Sequence, residues 1–456
     1  MANPQDKLTY RQLVNYGVMT VPLAVAGLPM LIFVPAYFAQ DIGLEIGLLG
    51  IVLMMSRMFD MASDPVIGMV SDRIHTPFGR RKPWIVIGIT MMSVATWKLF
   101  LASAAITLGW LAVWLVIFYL GWTLIAVPYT AWGVELTDDY HERTRVAGVR
   151  EIFSIIGMIL VFVGAGVVTE DIEPGVSETS LIIEAMGWMT LFLLPLCGAF
   201  LLFNVRERKL SQSVGRSFAE TLADLLHNKP FVLLIAAAFI TELGVAINNS
   251  VLVIFYDNVV GLQERVDELL GIYFAAALLG IPLWLWFARV FDKHKAVCIA
   301  ALWNAGSLFM LPFIQTGDFA SYAAIEFSRG IAFAGPLVLG ASMIADVVEY
   351  DSWRHGESRA GFLTAFWITG SKLASAIGVG IALPALGWLG FNALQESHQD
   401  VREGITLIYA VIPGILALCA IPLVWNYPLT SQKNATVKRA LAKRNKREEP
   451  LLTIPY

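Results

Sequence analysis

Charge is scarce in this chain of 456 residues: Asp, Glu, Lys and Arg make up 15% of it, against 57% hydrophobic residues and a mean hydropathy of +0.67. Soluble domains carry roughly 25% charged residues, so a water-soluble protein of this length is excluded. Cysteine is scarcer still. Cys197, Cys298 and Cys419 all fall in apolar runs, which argues against a disulfide framework or a thiolate metal site and for three buried core residues. The six histidines, His75, His141, His227, His294, His355 and His398, fall between the apolar runs, so no zinc-type helical histidine motif lies inside one. The chain has no glycine loop closing on Lys-Ser or Lys-Thr to cradle phosphate, and no nucleophile-elbow serine. The sequence therefore reads as neither an enzyme nor a nucleotide-driven pump, and no cofactor is implied. The start, MANPQDKLTYRQL, lacks the charged, apolar and small-residue order of a cleaved signal; the first apolar run is expected to stay.

What is present is a series of apolar runs long enough to cross a hydrocarbon layer, which takes about 20 residues per helix. They predict an all-α membrane protein with twelve transmembrane helices at roughly 16–39, 43–70, 83–105, 108–134, 150–169, 181–204, 230–256, 266–288, 296–314, 321–345, 361–390 and 405–427. Of the 32 Lys and Arg residues, 25 fall in the termini and alternate loops, and only Arg265 and Arg402 fall in the opposite loops. Positive charge stays on the cytoplasmic side, so both termini are expected there, in a cell inner membrane. The longest polar stretch divides the chain into a six-helix bundle at 1–204, a cytoplasmic linker at 205–229 and a second six-helix bundle at 230–427. A basic cytoplasmic tail follows at 428–456. A faint repeat supports two equivalent halves: Asp72, Arg73, Arg80 and Arg81 follow span two, and Arg289, Asp292, Lys293 and Lys295 follow span eight.

Ionisable groups inside spans are the candidate functional residues, because one charge at the bilayer centre costs about 2.5 to 3.5 kcal/mol on the insertion scale. Arg57, Asp60 and Asp64 share one helical face in span two. Further polar groups are Thr123, Glu135, Arg150 and Glu151 in the first half, and Glu242, Asn248, Asn249, Glu326, Arg329 and Lys372 in the second. Two carboxylates one turn apart plus a neighbouring hydroxyl suit a hard cation such as Na+. The same pair suits a shared proton, and a purely structural ion pair with Arg57 is the third reading. Arg329 and Lys98 read as snorkelling or structurally paired charges.

Ser56-Arg57-Met58-Phe59-Asp60 through Asp64-Pro65, the loop Gly79-Arg80-Arg81-Lys82-Pro83-Trp84, Pro128-Tyr129, Glu142-Arg143-Thr144-Arg145, Asp346-Val347-Val348-Glu349-Tyr350-Asp351 and Lys372 carry a family resemblance. Over nearly its whole length the chain resembles the glycoside-pentoside-hexuronide:cation symporters of the major facilitator superfamily, the melibiose permease-like transporters. The resemblance implies the major facilitator fold and alternating-access symport of an organic, glycoside-like solute, as in sugar transport, with Na+ or H+ and no nucleic acid partner. By resemblance, Asp60, Asp64 and Thr123 bind the cation. The same resemblance has Arg57, Arg150 and Lys372 line or link the cavity and Asp72, Arg80, Arg81, Asp346, Glu349 and Asp351 form a cytoplasmic gate, while Glu242, Asn248 and Asn249 join the cavity set from their place inside the spans alone. Two departures stand out: Ala24 and Ala126 occupy the places where the melibiose permease carries sugar-anchoring carboxylates, and Thr130 replaces an aromatic residue. The family also resembles lysolipid symporters, so an amphipathic solute is a second expectation. A membrane sensor or assembly factor that keeps the fold without transport is a third.

Overall fold

Continuous apolar runs satisfy their backbone hydrogen bonds inside lipid as helices, which there tolerate interior prolines such as Pro65, Pro128 and Pro384. The computed structural model describes residues 8–74, 76–101, 106–137, 140–169, 177–207, 227–355, 360–392 and 398–448, and among them there are helices and no named strand. In chain order these are α1 (Tyr10–Gly17), α2 (Thr20–Ala36), α3 (Ile46–Arg73), α4 (Lys82–Thr96), α5 (Leu108–Glu135), α6 (Tyr140–Thr169), α7 (Glu178–Asn204), α8 (Lys229–Phe255), α9 (Val266–Phe291), α10 (Lys293–Met310), α11 (Phe319–His355), α12 (Ala360–Trp388), α13 (Gln399–Thr406), α14 (Ile412–Trp425) and α15 (Ser431–Glu448). Wider π-helical turns extend α2, α4 and α8 at Tyr37–Asp41, Trp97–Leu101 and Tyr256–Val260, and another joins α13 to α14 at Leu407–Val411.

Among the described residues, 11 helical segments are long and apolar enough to cross a membrane. The remaining expected span lies in α6, whose first half carries Glu142, Arg145 and Arg150 and whose apolar part follows Glu151. Local chemistry sets the starts. Thr9 and Gln12 form a reciprocal capping box on α1, the Glu45 carboxylate accepts from the amides of Gly47 and Leu48 at the start of α3, and Thr107 accepts from the Trp110 amide on α5. Each satisfies amides that have no partner within the helix.

α7 shows how the side chains sort. Trp188, Phe192, Leu196 and Phe200 recur every fourth residue and are exposed, as is Phe203, while Ile183, Leu194 and Leu201 are buried. An exposed aromatic ladder of this kind belongs against hydrocarbon rather than water. Cys197 and Cys298 are buried as expected, but Cys419 is exposed on α14, because an apolar run bound for lipid has an outer face as apolar as its inner one. His294 and His355 sit on the ends of α10 and α11 rather than in loops.

The chain forms two compact units: Met1–Ser213 with Asn249–Asn258 and Val379–Ile405, and Val214–Asn248 with Val259–Gly378 and Thr406–Tyr456. In the first, α4 and α5 cross at Gly88 and Gly121, where a Cβ on Gly88 would stand 2.8 Å from the Gly121 carbonyl oxygen; small residues let membrane helices approach this closely. In the second, Phe231, Leu234, Met343, Val347, Leu363, Val424 and Tyr427 form one apolar cluster, and Trp284, Ala296, Ala300, Ala334 and Leu339 another. At about 1.5 Å per residue, the 37 residues of α11 run to about 55 Å, against a hydrocarbon core of about 30 Å. The helix therefore outruns the apolar layer, and the charges of Asp346, Glu349, Asp351 and Arg354 mark its last turns as the polar end.

Candidate functional site

In the first unit, α3 and α5 bring together the pair singled out by spacing. The Thr123 hydroxyl lies 2.8 Å from Oδ1 of Asp60 and 3.1 Å from Oδ1 of Asp64. Asp60 is 6% exposed and Thr123 is fully buried, while Asp64 is half-buried. Ser63 adds a second hydroxyl, 3.3 Å from Thr123, and donates to the Asp60 carbonyl at 2.8 Å. The group thus offers two carboxylates and a hydroxyl on adjoining turns of α3 and a second hydroxyl from α5. Among the described residues, no group of three or more His, Cys, Asp or Glu side chains converges as a metal site, so a cation held here would take hydroxyl oxygens as well as carboxylates. Arg57, one turn before Asp60, donates to the Met30 carbonyl of α2 at 3.2 Å.

A second polar cluster in this unit joins α1, α5 and α6. The Tyr16 and Tyr129 hydroxyls each donate to the other residue's carbonyl at 2.8 Å, and their rings stack 4.5 Å apart. Arg150 lies over the Tyr129 ring, 5.7 Å from its centre, and its guanidinium is 3.4 Å from the Thr130 hydroxyl.

The second unit has its own buried hub. Arg329 donates to Glu326 at 2.5 Å, to the Tyr409 hydroxyl at 3.0 Å and to Asn248 at 2.8 Å, and Asn248 donates to the Tyr409 carbonyl at 2.8 Å. The rings of Tyr273 and Tyr409 flank the guanidinium. Of the two readings left open for Arg329, this is the paired one. Its oxygens and aromatic faces compensate a charge that burial alone would make costly. Glu242 on α8 and Lys372 on α12 are half-buried in this unit, and Asn249 is half-buried in the first.

Beyond the apolar layer, the Gly79–Trp84 loop of the first unit closes on Glu207. The amides of Arg80, Arg81 and Lys82 donate to its carboxylate at 2.6, 3.0 and 2.9 Å. These are the free amides at the start of α4, a natural seat for an anion. The Arg81 side chain donates to Glu135 at 2.5 Å and to Ser71 at 2.9 Å. In the second unit Lys293 binds Asp346, Asn434 donates to Asp346 at 2.5 Å, Lys438 lies 3.4 Å from Glu349, and Asn228 donates to Asp351 at 3.2 Å. Asp292, between α9 and α10, accepts the amide and hydroxyl of Ser431; these bonds hold its carboxyl below the usual aspartate range. The side chains of Asp72 and Glu151 lie outside the described residues.

Sequence reasoning missed Ser63, Tyr16, Glu207, Tyr409 and the tail residues Ser431, Asn434 and Lys438. Glu207 carried a signal in hindsight: an acid at the start of a basic linker, opposite a basic loop rich in free amides.

A family model described as MFS/sugar transport protein matches residues 15–431. The chain is 26% identical to an uncharacterized symporter of Synechocystis, over 96% of this chain and 98% of the relative. It is 24% identical to the sodium-dependent lysophosphatidylcholine symporter 1 of Gallus gallus, over 96% of this chain and 90% of the relative. Among solved structures, the nucleoside transporter NupG matches with a TM-score of 0.68 and 13% identity, over 91% of this chain and 99% of the other, a likeness of fold alone.

Proposed function

We propose, from the premise that this chain belongs to the family of MFS/sugar transport proteins and is a secondary transporter with the major facilitator fold, that it is a symporter coupling entry of Na+ or H+ to uptake of an organic solute. The coupling site is Asp60, Asp64 and Thr123, with Ser63 beside them. One observation carries this reading. Thr123 has a single hydroxyl hydrogen, yet its oxygen lies within hydrogen-bond distance of two carboxylates. It can donate to one of them, and a proton or cation completes the contact with the other. Two nearby carboxylates in a low dielectric take up positive charge for the same reason. Cation binding then biases access through its different affinity for the two access states. Arg57, Arg150, Lys372, Glu242, Asn248 and Asn249 supply the polar lining. Arg80, Arg81, Asp346, Glu349 and Asp351, with Asp72, form the gate on the cytoplasmic side, where both termini lie.

The cargo reading within this function is a glycoside-like solute, as in melibiose permease-like transporters, or an amphipathic one. A specific observation favours the amphipathic solute. Ala24 on α2 abuts α6 so closely that a Cβ on Gly157 would stand 2.7 Å from the Ala24 Cβ and 2.7 Å from the Val21 carbonyl oxygen. A carboxylate at position 24 has no room on that packing face, so α2 supplies no carboxylate anchor of the kind that melibiose permease-like transporters use for a sugar. Uptake into proteoliposomes, with and without a sodium or a proton gradient and across a panel of glycosides and lysolipids, tests the proposal. Gradient-dependent accumulation of a panel member supports it. Facilitated entry that ignores both sodium and proton gradients would refute coupling, and no transport of any panel member would favour the non-transporting reading.

A further inference from the structure

We propose that α15, the C-terminal helix, is a positioning element of the cytoplasmic gate: Asn434 and Lys438 hold the carboxylates of Asp346 and Glu349 in place. The inference rests on the gate reading above and goes beyond it by giving the tail a part in transport.

Ser431, Asn434 and Lys438 are spaced i, i+3, i+7 and so share one face of α15. Each meets a different acid of the same unit: Asp292 for Ser431, Asp346 for Asn434 and Glu349 for Lys438. Asp346 and Glu349 are themselves one turn apart on α11. Both oxygens of Asp346 are engaged, one by the Asn434 amide and the other by Lys293 from α10. A cavity of about 270 Å³, lined by Lys293, His294, Met343, Tyr427 and Asn434 among others, adjoins the contact, leaving the carboxylate space to turn if the amide releases it.

An anchor alone would be built differently. Val437, 7% exposed, already supplies an apolar contact for the helix. Asn434 is 7% exposed, and its amide oxygen is buried with no hydrogen-bond partner among the described residues. Burying an unpaired acceptor is unfavourable, and an apolar side chain at 434 would avoid it. The amide is retained where its one well-made bond goes to Asp346. Lys438, exposed and near Glu349, contributes a weaker, screened interaction, so Asn434 carries most of the effect.

The test uses the full chain with Cys197, Cys298 and Cys419 changed to serine and a reporter cysteine at Thr369, an exposed position one turn before Lys372. The rate of alkylation by a membrane-impermeant maleimide added from the tail side reads the gate. Asn434→Asp sets two carboxylates against each other and should raise the rate about tenfold, the scale of a lost hydrogen bond to a charged group. Combining it with Asp346→Asn exchanges donor and acceptor, restores this bond though not the ion pair with Lys293, and should bring the rate below that of either single variant. An unchanged rate in Asn434→Asp, or a raised rate that the exchange does not lower, overturns the proposal, as does a loss of melting temperature with no change in rate. If Asn434→Asp does not fold, Lys438→Ala must give a smaller rise, and no rise overturns the proposal. Asp346→Asn alone separates the two readings: if it leaves the rate unchanged, the gate assignment itself fails, whereas a change there beside an inert Asn434→Asp refutes only the role of the tail.

Discussion

Thr123 and its neighbours reduce the coupling question to counting protons. Thr123→Ser keeps the hydroxyl, so uptake driven by the coupling cation should persist. Thr123→Val keeps the shape and removes the oxygen, and the apparent affinity for that cation should fall about tenfold or more, the scale of a lost hydrogen bond to a charged group; equal uptake by the two variants would remove Thr123 from the site. Asp60→Asn and Asp64→Asn should abolish accumulation against a gradient while the protein still folds, because an amide keeps the shape but supplies no formal charge. If instead these variants misfold by the ~3 to 5 kcal/mol of a broken buried pair, the aspartates serve structure alone. Asp60 and Asp64 were legible because carboxylates inside an apolar helix are rare and their spacing fixes a shared face. Thr123 stood out as a polar group inside a neighbouring span, and the family resemblance paired it with the two aspartates. Ser63 was invisible because a serine in a membrane helix ordinarily satisfies its own backbone, and Ser63 does so while also reaching Thr123.

At the scale of elements, the loop before α4 shows why a motif can be recognised before its mechanics are. In sequence Gly79-Arg80-Arg81-Lys82 shows positive charge for topology and gating, yet its amides are engaged as its side chains are: three of the loop's amides hold Glu207. Gly79 makes this possible. Its φ is +121°, and a Cβ there would stand 2.7 to 2.8 Å from the Glu207 carboxyl group. Gly79→Ala should therefore both strain the loop and displace the carboxylate, with about 1 to 3 kcal/mol of destabilisation from the backbone conformation alone. Thermal unfolding of the purified protein measures it, and an unchanged melting temperature would show that the loop accommodates the change by opening. In the second unit, Glu326→Ala leaves the buried Arg329 without its carboxylate, and a loss of about 3 to 5 kcal/mol is expected; replacing Glu326 and Arg329 together by apolar residues of similar volume should cost less than the single change. The acid-to-base spacing i, i+3 between Glu326 and Arg329 was readable in sequence, but the tyrosine rings and Asn248 that complete the hub come from three other helices and no local pattern contains them.

The molecule as a whole was the most legible level, because bilayer thickness sets the length of every apolar run and hydrogen bonding inside lipid leaves helices as the outcome. Less was legible in how the helices group: Asn249–Asn258 and Val379–Ile405 belong to the first compact unit although they come late in the chain, and tertiary packing of this kind leaves no periodicity to read. Orientation rests on charge. Lys and Arg resist transfer across the membrane and remain on the cytoplasmic side, and 25 of the 32 fall in one set of segments against Arg265 and Arg402 in the other. Ser213 lies in the linker of the basic set and Ser177 in the acidic loop before α7. An impermeant thiol reagent applied outside intact cells should therefore label a cysteine placed at Ser177 and spare one at Ser213, and opening the membrane should make both reactive. Labelling at Ser213 in sealed cells, with Ser177 protected until lysis, would reverse the topology; it would also put the carboxylates of Asp346 and Glu349, with the tail that holds them, at the outer rather than the inner end of the transport path.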